Sequence, residues 1–411
     1  LRLGTGAFLA NGGLPAGSGS GLNTFATIAD QRAATANFLP PVQKLPYSET
    51  WTLGVERVFN KKYTAEVRYV GTRGIHLPVQ QQLNVQPKVT SSLFLPTFLT
   101  PPDAATVAGL TTTLAQINGQ PRILPAFTAA GFPNGITSFQ PFGQSIYHGL
   151  QTQLTRNYSN GLQLLAAYTW SHLIDNSTAD VFSTLLTPRR PQNSQNFAAD
   201  MSTSALDRRQ RLSFEAIYDL PFFKDSSNWM AKNLLGNWKL VPTWQLQSPE
   251  FYTPQSGVDS NLNGDSAPDR TIINPNGVPG TGTAVTPLLN GAGDTVGYVA
   301  NNPNAQYIQA GKGALATAGR NTLATPRTNN WDMAVVKRFN TSERTNLEFT
   351  AQAFNIFNHS QFIPGSVNTV NSIGYTGITG FVRVNSGAFN DPTQAFANNA
   401  RVMQLVMKFN F

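Results

Sequence analysis

The chain is expected to be all-β: an antiparallel transmembrane β-barrel segment, about nine strands of a larger barrel, carrying long extracellular loops. Three observations predict it. The closing stretch, residues 400–411, alternates with period two. Met403, Leu405, Met407, Phe409 and Phe411 share one side, and Val402, Gln404, Val406, Lys408 and Asn410 share the other. Successive side chains of a strand point to opposite sides, so one face is apolar and the other mostly polar. Charged residues are only 12% of the 411, about half the ~25% of soluble globular domains, yet mean hydropathy is just −0.21. The polar surface is therefore built from Asn, Gln, Ser and Thr. Finally, short and long connections alternate between the strands.

Residues 1–46, rich in Gly, Ala, Asn and Pro, lack a sustained period and read as a loop entering from a strand upstream. Residues 47–411 carry the barrel. The first hairpin joins 48–58, with Trp51, Leu53 and Val55 on one side, to 63–70, with Tyr63, Ala65, Val67 and Tyr69, through Phe59, Asn60, Lys61 and Lys62. A long connection, 71–143, leads to 144–156 and 162–172, joined through Asn157, Tyr158, Ser159, Asn160 and Gly161. Leu162, Leu164, Ala166, Tyr168 and Trp170 align there. After 173–205, residues 211–220 place Leu212, Phe214, Ala216, Tyr218 and Leu220 outward. A medium turn, 221–237, precedes 238–247, where Trp238, Leu240, Trp244 and Leu246 align with Pro242. A proline inside a strand argues for a bulge or a distorted ladder. The longest connection, 248–330, is followed by 331–339 and 345–353, joined around Asn340, Thr341, Ser342 and Glu343. Beyond Ala353 the alternation fails, and the strand is expected to leave the wall. Residues 360–399 connect to the closing strand.

Short turns thus follow the odd strands and long connections the even ones, as periplasmic turns and extracellular loops do in outer-membrane barrels. That parity leaves Phe411 on the periplasmic side. Trp51, Tyr69, Trp170 and Trp331 fall near the loop ends, and Tyr63, Trp238 and Phe409 near the turn ends, as two interfacial girdles. A soluble sandwich would share the alternation but predicts neither the parity nor the girdles. No apolar run approaches the ~18 residues of a membrane helix, so the chain crosses as strands or not at all.

No cysteine is present, which removes disulfides and thiolate metal sites. The net charge of +8 is scattered, without the long basic run of a nucleic-acid tail. The chain opens at Leu1 without a signal segment, so an upstream part is expected. Hydrolase, zincin and phosphate-loop motifs are missing, so the reading is non-enzymatic, with no catalytic residue and no cofactor. His76, His148, His172 and His359 lack ligand spacing and read as polar barrel histidines. Asp259, Asn261, Asn263, Gly264 and Asp265 form D-x-N-x-N-G-D, the first half of a calcium loop, but Arg270 stands where the bidentate Glu belongs. Calcium and an Asx-rich surface loop both remain open there. Asp207, Arg208, Arg209, Gln210 and Arg211 mark a strand re-entering from a loop. Those arginines suit either lipopolysaccharide phosphates or pairing with Asp207 and Glu215.

Residues 47–77 (Y-S-E-T-W-T-L-G-V-E-R … Y-T-A-E-V-R-Y-V-G-T-R-G-I-H-L), 147–176 (Y-H-G-L-Q-T-Q-L-T-R … G-L-Q-L-L-A-A-Y-T-W-S-H-L-I-D-N), 207–220 (D-R-R-Q-R-L-S-F-E-A-I-Y-D-L) and 331–362 (W-D-M-A-V-V-K-R-F … L-E-F-T-A-Q-A-F-N-I-F-N-H-S-Q-F) carry a resemblance. They resemble the TonB-dependent receptor family, and within it the Oar-like barrels. The terminal K-F-N-F fits that family's last strand. The resemblance implies a barrel of about 22 strands with an N-terminal plug, and import energised through TonB. This chain looks like the C-terminal part of such a barrel, without plug or TonB box. The implied partners are outer-membrane lipid and lipopolysaccharide, TonB through the absent plug, and an unknown extracellular solute, with no nucleic acid. The expected role is uptake of a large or scarce solute. The alternatives are a passive porin or adhesive surface barrel without import, and a soluble secreted β-protein.

Overall fold

A computed structural model describes residues 27–41, 44–177, 190–342, 345–363 and 375–411. Most of the 1–46 loop region, and Glu343 of the last turn, lie outside the described residues. Nine strands follow one another as a meander: β1 (Tyr47–Phe59), β2 (Tyr63–Gln82), β3 (Thr137–Ser159), β4 (Leu162–Asp175), β5 (Gln210–Asp219), β6 (Trp238–Gln247), β7 (Thr328–Asn340), β8 (Asn346–Phe354) and β9 (Val402–Asn410). Each pairs antiparallel with the next, and the path ends at β1 and β9 without closing.

Opposed residues of an antiparallel pair share a face, so the register tests the expected sidedness directly. Leu53 stands opposite Tyr69, Tyr69 opposite Leu150, and Leu150 opposite Trp170. Tyr168 meets Leu212, and Leu212 meets Leu246. Leu240 meets Val335, Val335 meets Ala351, and Ala351 meets Leu405. One apolar face therefore runs unbroken across the sheet. The opposite face carries Glu56, Glu66, Gln153, Glu215 and Thr243. It also carries the row Arg338, Glu348, Lys408, in which Arg338 binds Glu348 at 3.1 Å.

Aromatic residues gather at both ends of the apolar face. At the loop end Trp51 lies over Gly71, where an added Cβ would run into the indole. The Tyr69 hydroxyl meets His148 Nδ1 at 2.7 Å. Trp244 and Trp331 stack at 4.7 Å. At the turn end Arg156 covers Tyr63 at 5.4 Å, and Phe409 stacks on Phe411 at 6.1 Å. Asn60 and Lys61, like Asn160 and Gly161, take positive φ, the backbone of tight hairpin turns whose twist matches the strands. β9 pairs Asn410 with Asn346, so the C-terminus lies at the turn end.

Some expectations need correction. β2 and β3 extend far beyond 63–70 and 144–156, pairing Val79 with Gln140 and Gln82 with Thr137. The β2 extension alternates through Ile75, Leu77 and Val79, but Pro78, Pro141 and the polar run Gln80, Gln81, Gln82 give these stretches the composition of a loop. Register shifts around Leu77 accommodate the prolines, with His76 at φ 56°. Residues 27–41 are not plain loop. They form a capped helical turn, Ile28–Ala33, and a short strand, Asn37–Phe38, parallel to Thr137 and Ser138. Pro242 does not shift the register. Glu215 pairs Thr243 and Tyr218 pairs Leu240, and only the pairs between them are lost, as a missing N–H requires. As expected, the eighth strand leaves the wall after Phe354.

The hydrophobic core does not lie in the wall. Leu405 is 67% exposed, whereas the buried clusters belong to the long connections. Val89, Leu95 and Ile117, from the segment between β2 and β3, pack on Leu262, Tyr298, Ala310 and Ala314, from the segment between β6 and β7. Tyr252 packs on Phe381, Val382 and Phe396, from the segment between β8 and β9. These connections form a layer capping one end of the sheet. Its alternation of apolar loop core with exposed apolar wall is the inverse of a water-soluble β-protein.

Because Leu405 lies on the apolar face and Gln404, opposite Gln352, on the polar one, Leu405→Arg should destabilise the wall by about 2–4 kcal/mol, and Gln404→Arg should be tolerated. Heat-modifiable gel mobility of both variants in the intact protein measures this. Damage from Gln404→Arg instead would invert the faces.

Candidate functional site

The loop layer is bolted to the wall by ion pairs between two connections, two of them buried and two half-buried. Asp175, closing β4, binds Arg320, and Asp200 binds Arg270. Arg190 pairs with Asp265, and Arg208 with Glu250 at 2.8 Å. In every case one partner lies in or near the 176–209 segment and the other in the segment between β6 and β7. Ser204 Oγ donates to Asp175 at 2.5 Å, and Asn321 donates to the Thr203 carbonyl at 2.8 Å. Charges as deep as those of Asp175, Arg320, Asp200 and Arg270 persist only when paired and hydrogen-bonded.

Beside this junction lies a cavity of 690 Å³. Its walls are the upper extensions of β2 and β3 and the segment around Ser194. Amide side chains line it: Gln81, Gln140, Gln144, Asn176 and Gln195. Most of them hold the walls in place. Gln81 Nε2 donates to the Ser194 carbonyl at 2.8 Å, and Gln195 Nε2 to the Val85 carbonyl at 2.9 Å. Asn176 joins Gln144 N–H and the Phe142 carbonyl, each at 2.9 Å. Phe142 and Phe197 add an aromatic pair with ring centroids 5.5 Å apart, and Lys44 and His76 add the basic groups. Gln81 is buried, and its Oε1 has no partner among the described residues. The arrangement suits a polar solute that accepts and donates hydrogen bonds and presents an apolar patch to the rings. The run Gln80, Gln81, Gln82 was the signal in the chain, but it has no hydrophobic period to mark it.

Asp259, Asn261, Asn263, Gly264 and Asp265 do come together, as a knot of side chain to backbone bonds. Asp259 accepts from Asn263 N–H at 3.1 Å and Gly264 N–H at 2.8 Å, and Asn263 accepts from Asp265 N–H at 2.7 Å. Asp265 is engaged by Arg190, and Arg270 turns away to Asp200. No group of three or more acidic or histidine residues poised for a metal occurs among the described residues. The carboxylate that the motif did not mark is Asp269, fully buried, accepting from Ser260 N–H at 2.6 Å and Asn261 Nδ2 at 2.7 Å. Burial, with Asp259 and Asp265 nearby, pushes it from its ordinary 3.8 up to about 8.

Among Asp207, Arg208, Arg209, Gln210 and Arg211, Asp207 is buried and accepts from Leu173 N–H at 2.6 Å, with Arg209 3.5 Å away. Arg208 meets Glu250 rather than Glu215. Arg211 faces the polar side of the wall, paired with Thr169. The histidines are not assembled. His148 and His172 stand opposite each other, but His148 binds Tyr69 and His172 lies 3.3 Å from Thr203 Oγ1. His359 meets Gln361 at 2.8 Å, and His76 sits edge-on to Tyr47.

Two consequences are measurable. Arg320→Met removes the buried guanidinium that binds Asp175, a loss of about 3–5 kcal/mol. In the intact protein it should open the loop layer to protease while heat-modifiability of the wall persists. For Asp269, the unfolded loop ionises near pH 4 and the folded loop only near 8. Its stabilising contribution is thus complete below about pH 4 and lost as pH rises to about 8. Protease resistance of residues 255–272 should fall across that window in the wild type and stay flatter in Asp269→Asn.

The structure is similar to the outer-membrane transporter YddB of Escherichia coli, with 10% identity, 91% of this chain and 34% of that chain covered, and a TM-score of 0.36. It is similar to the ferric-catecholate import receptor Fiu of E. coli K12, with 8% identity, 90% and 28% covered, and a TM-score of 0.38. It is also similar to the ferric enterobactin receptor PfeA of Pseudomonas aeruginosa, with 10% identity, 90% and 31% covered, and a TM-score of 0.38. The chain thus spans at most 34% of the length of these three proteins. No protein of curated function matches it. The outer membrane beta barrel domain family matches residues 4–404, nearly the whole chain. With its apolar wall face, polar opposite face and two aromatic belts, this chain belongs to the outer-membrane β-barrel family.

Proposed function

We propose that this chain is the C-terminal part of an Oar-like, TonB-dependent receptor that takes part in energised uptake of a large or scarce solute. In this reading the apolar face meets lipid and the polar face a lumen filled by a plug upstream of this chain. The loop end faces the exterior, and the turn end, with the C-terminus, faces the periplasm. TonB acts through the plug, and exposed basic groups such as Arg209 near the loop end meet lipopolysaccharide. The observation that carries the reading is the 690 Å³ amide-lined cavity, held between the wall and a loop layer fastened by buried ion pairs. A pore that only sieves solutes needs no prebuilt pocket at its mouth. A receptor does, because capture of a scarce solute requires polar groups already oriented.

The test compares medium depletion by the wild type, a strain lacking the gene for the intact protein, and a strain lacking TonB. The expected result is one class of compound left unconsumed by both deletion strains. A compound retained only by the receptor deletion would establish a passive porin. Identical depletion by all three strains would favour the adhesive reading.

A further inference from the structure

The turn between β5 and β6 departs from the others. The first and second turns are closed by a few residues, but this one runs from Leu220 to Asn237. It exposes Phe222, Phe223, Trp229, Met230, Leu234 and Leu235, each 52% to 68% accessible. Exposed apolar groups this dense mark a contact surface. Two apolar-face side chains hold its helical turn, Ala231–Leu235, against the wall. Lys337, opposite Trp238, is buried, donates to the Gly236 carbonyl, and sits 5.0 Å from the Trp238 ring and 5.1 Å from the Phe339 ring. The Trp238 indole N–H meets the Leu234 carbonyl at 3.4 Å. Asn233 is buried and accepts from Asn340 N–H at 3.0 Å. The exposed residues are thus continuous with the aromatic belt of the wall. The first and third turns also carry Lys61, Lys62, Lys224 and Lys232 against Asp225 alone.

We propose that the Leu220 to Asn237 turn is an interfacial anchor, its apolar residues seated in the phospholipid headgroup layer at the turn end and its lysines against lipid phosphates. Three features select lipid over a protein partner: continuity with the apolar wall face, attachment through side chains of that face, and a basic balance suited to phosphate. Trp and Phe flanked by Lys is the composition of segments that lie in the interface plane rather than cross it. The anchor would fix the depth of β5 to β7 in the bilayer. That is the part of the wall where Pro242 interrupts the ladder.

The experiment uses the intact protein in phospholipid vesicles, with an environment-sensitive fluorophore on Met230→Cys or Leu234→Cys. Leu405→Cys serves as the mid-wall reference and Gln153→Cys as the polar-face reference. Lipids bearing a nitroxide at the headgroup should quench positions 230 and 234, and lipids bearing it deep in the chain should quench position 405. Position 153 should be quenched by neither. Two separate anchor positions protect the result against one misfolded variant. Emission at 230 and 234 as water-like and unquenched as at 153 would overturn the proposal. Protection of those positions only after a periplasmic extract is added would overturn it in favour of a protein partner.

Discussion

The structure depends on one constraint: inside hydrocarbon, each backbone N–H and C=O must find its partner in a neighbouring strand. Between its two open edges the meander from β1 to β9 meets it pair by pair, and the register that results decides everything else. With opposed residues sharing a face, Leu53, Tyr69, Leu150 and Trp170 are committed to one side, and Arg338, Glu348 and Lys408 to the other. A slip of one residue in any strand would place charges in lipid, so sidedness and pairing reinforce each other. The weak point is Pro242, where two pairs are lost while the register on both sides holds.

The wall contributes little buried apolar area between its own side chains, since its apolar face is turned outward. The buried area sits in the loop layer instead, in clusters joining connections distant in sequence. Such a layer needs its polar groups satisfied as fully as any soluble core. Tyr252, Tyr298 and Tyr307 bring their hydroxyls to Asn390, the Lys312 carbonyl and the Thr322 carbonyl. Burial pushes all three phenols above their usual range. The ion pairs of Asp175 and Asp200 then couple this layer to the end of β4. The cavity lies beside that coupling, and hydrogen bonds of Gln81 and Asn176 tie its walls together.

How far the chain could be read follows from which forces leave a periodic trace. The wall was legible, down to the place of Trp331 near the loop end and the departure of the eighth strand beyond Ala353, because lipid on one side and polar groups on the other impose period two on every strand. The upper halves of β2 and β3 were not legible, because Pro78, Pro141 and the polar run Gln80, Gln81, Gln82 mask the short alternation of Ile75, Leu77 and Val79. The calcium-like motif was visible as spacing. What its oxygens bind was not, since Arg190 and Asp200 come from elsewhere in the chain.

The residues alone thus determined the class of fold, the number and order of the wall strands, and which side chains face which way. Each of these rests on local alternation and turn chemistry. Only the tertiary structure decided that the long connections pack into one layer, that Arg208 meets Glu250 and Arg320 meets Asp175, and that Gln81, Asn176 and Phe197 surround a common space. Those contacts join positions far apart in the chain through aperiodic segments. No local pattern encodes such pairings, and only the folded backbone brings them within reach.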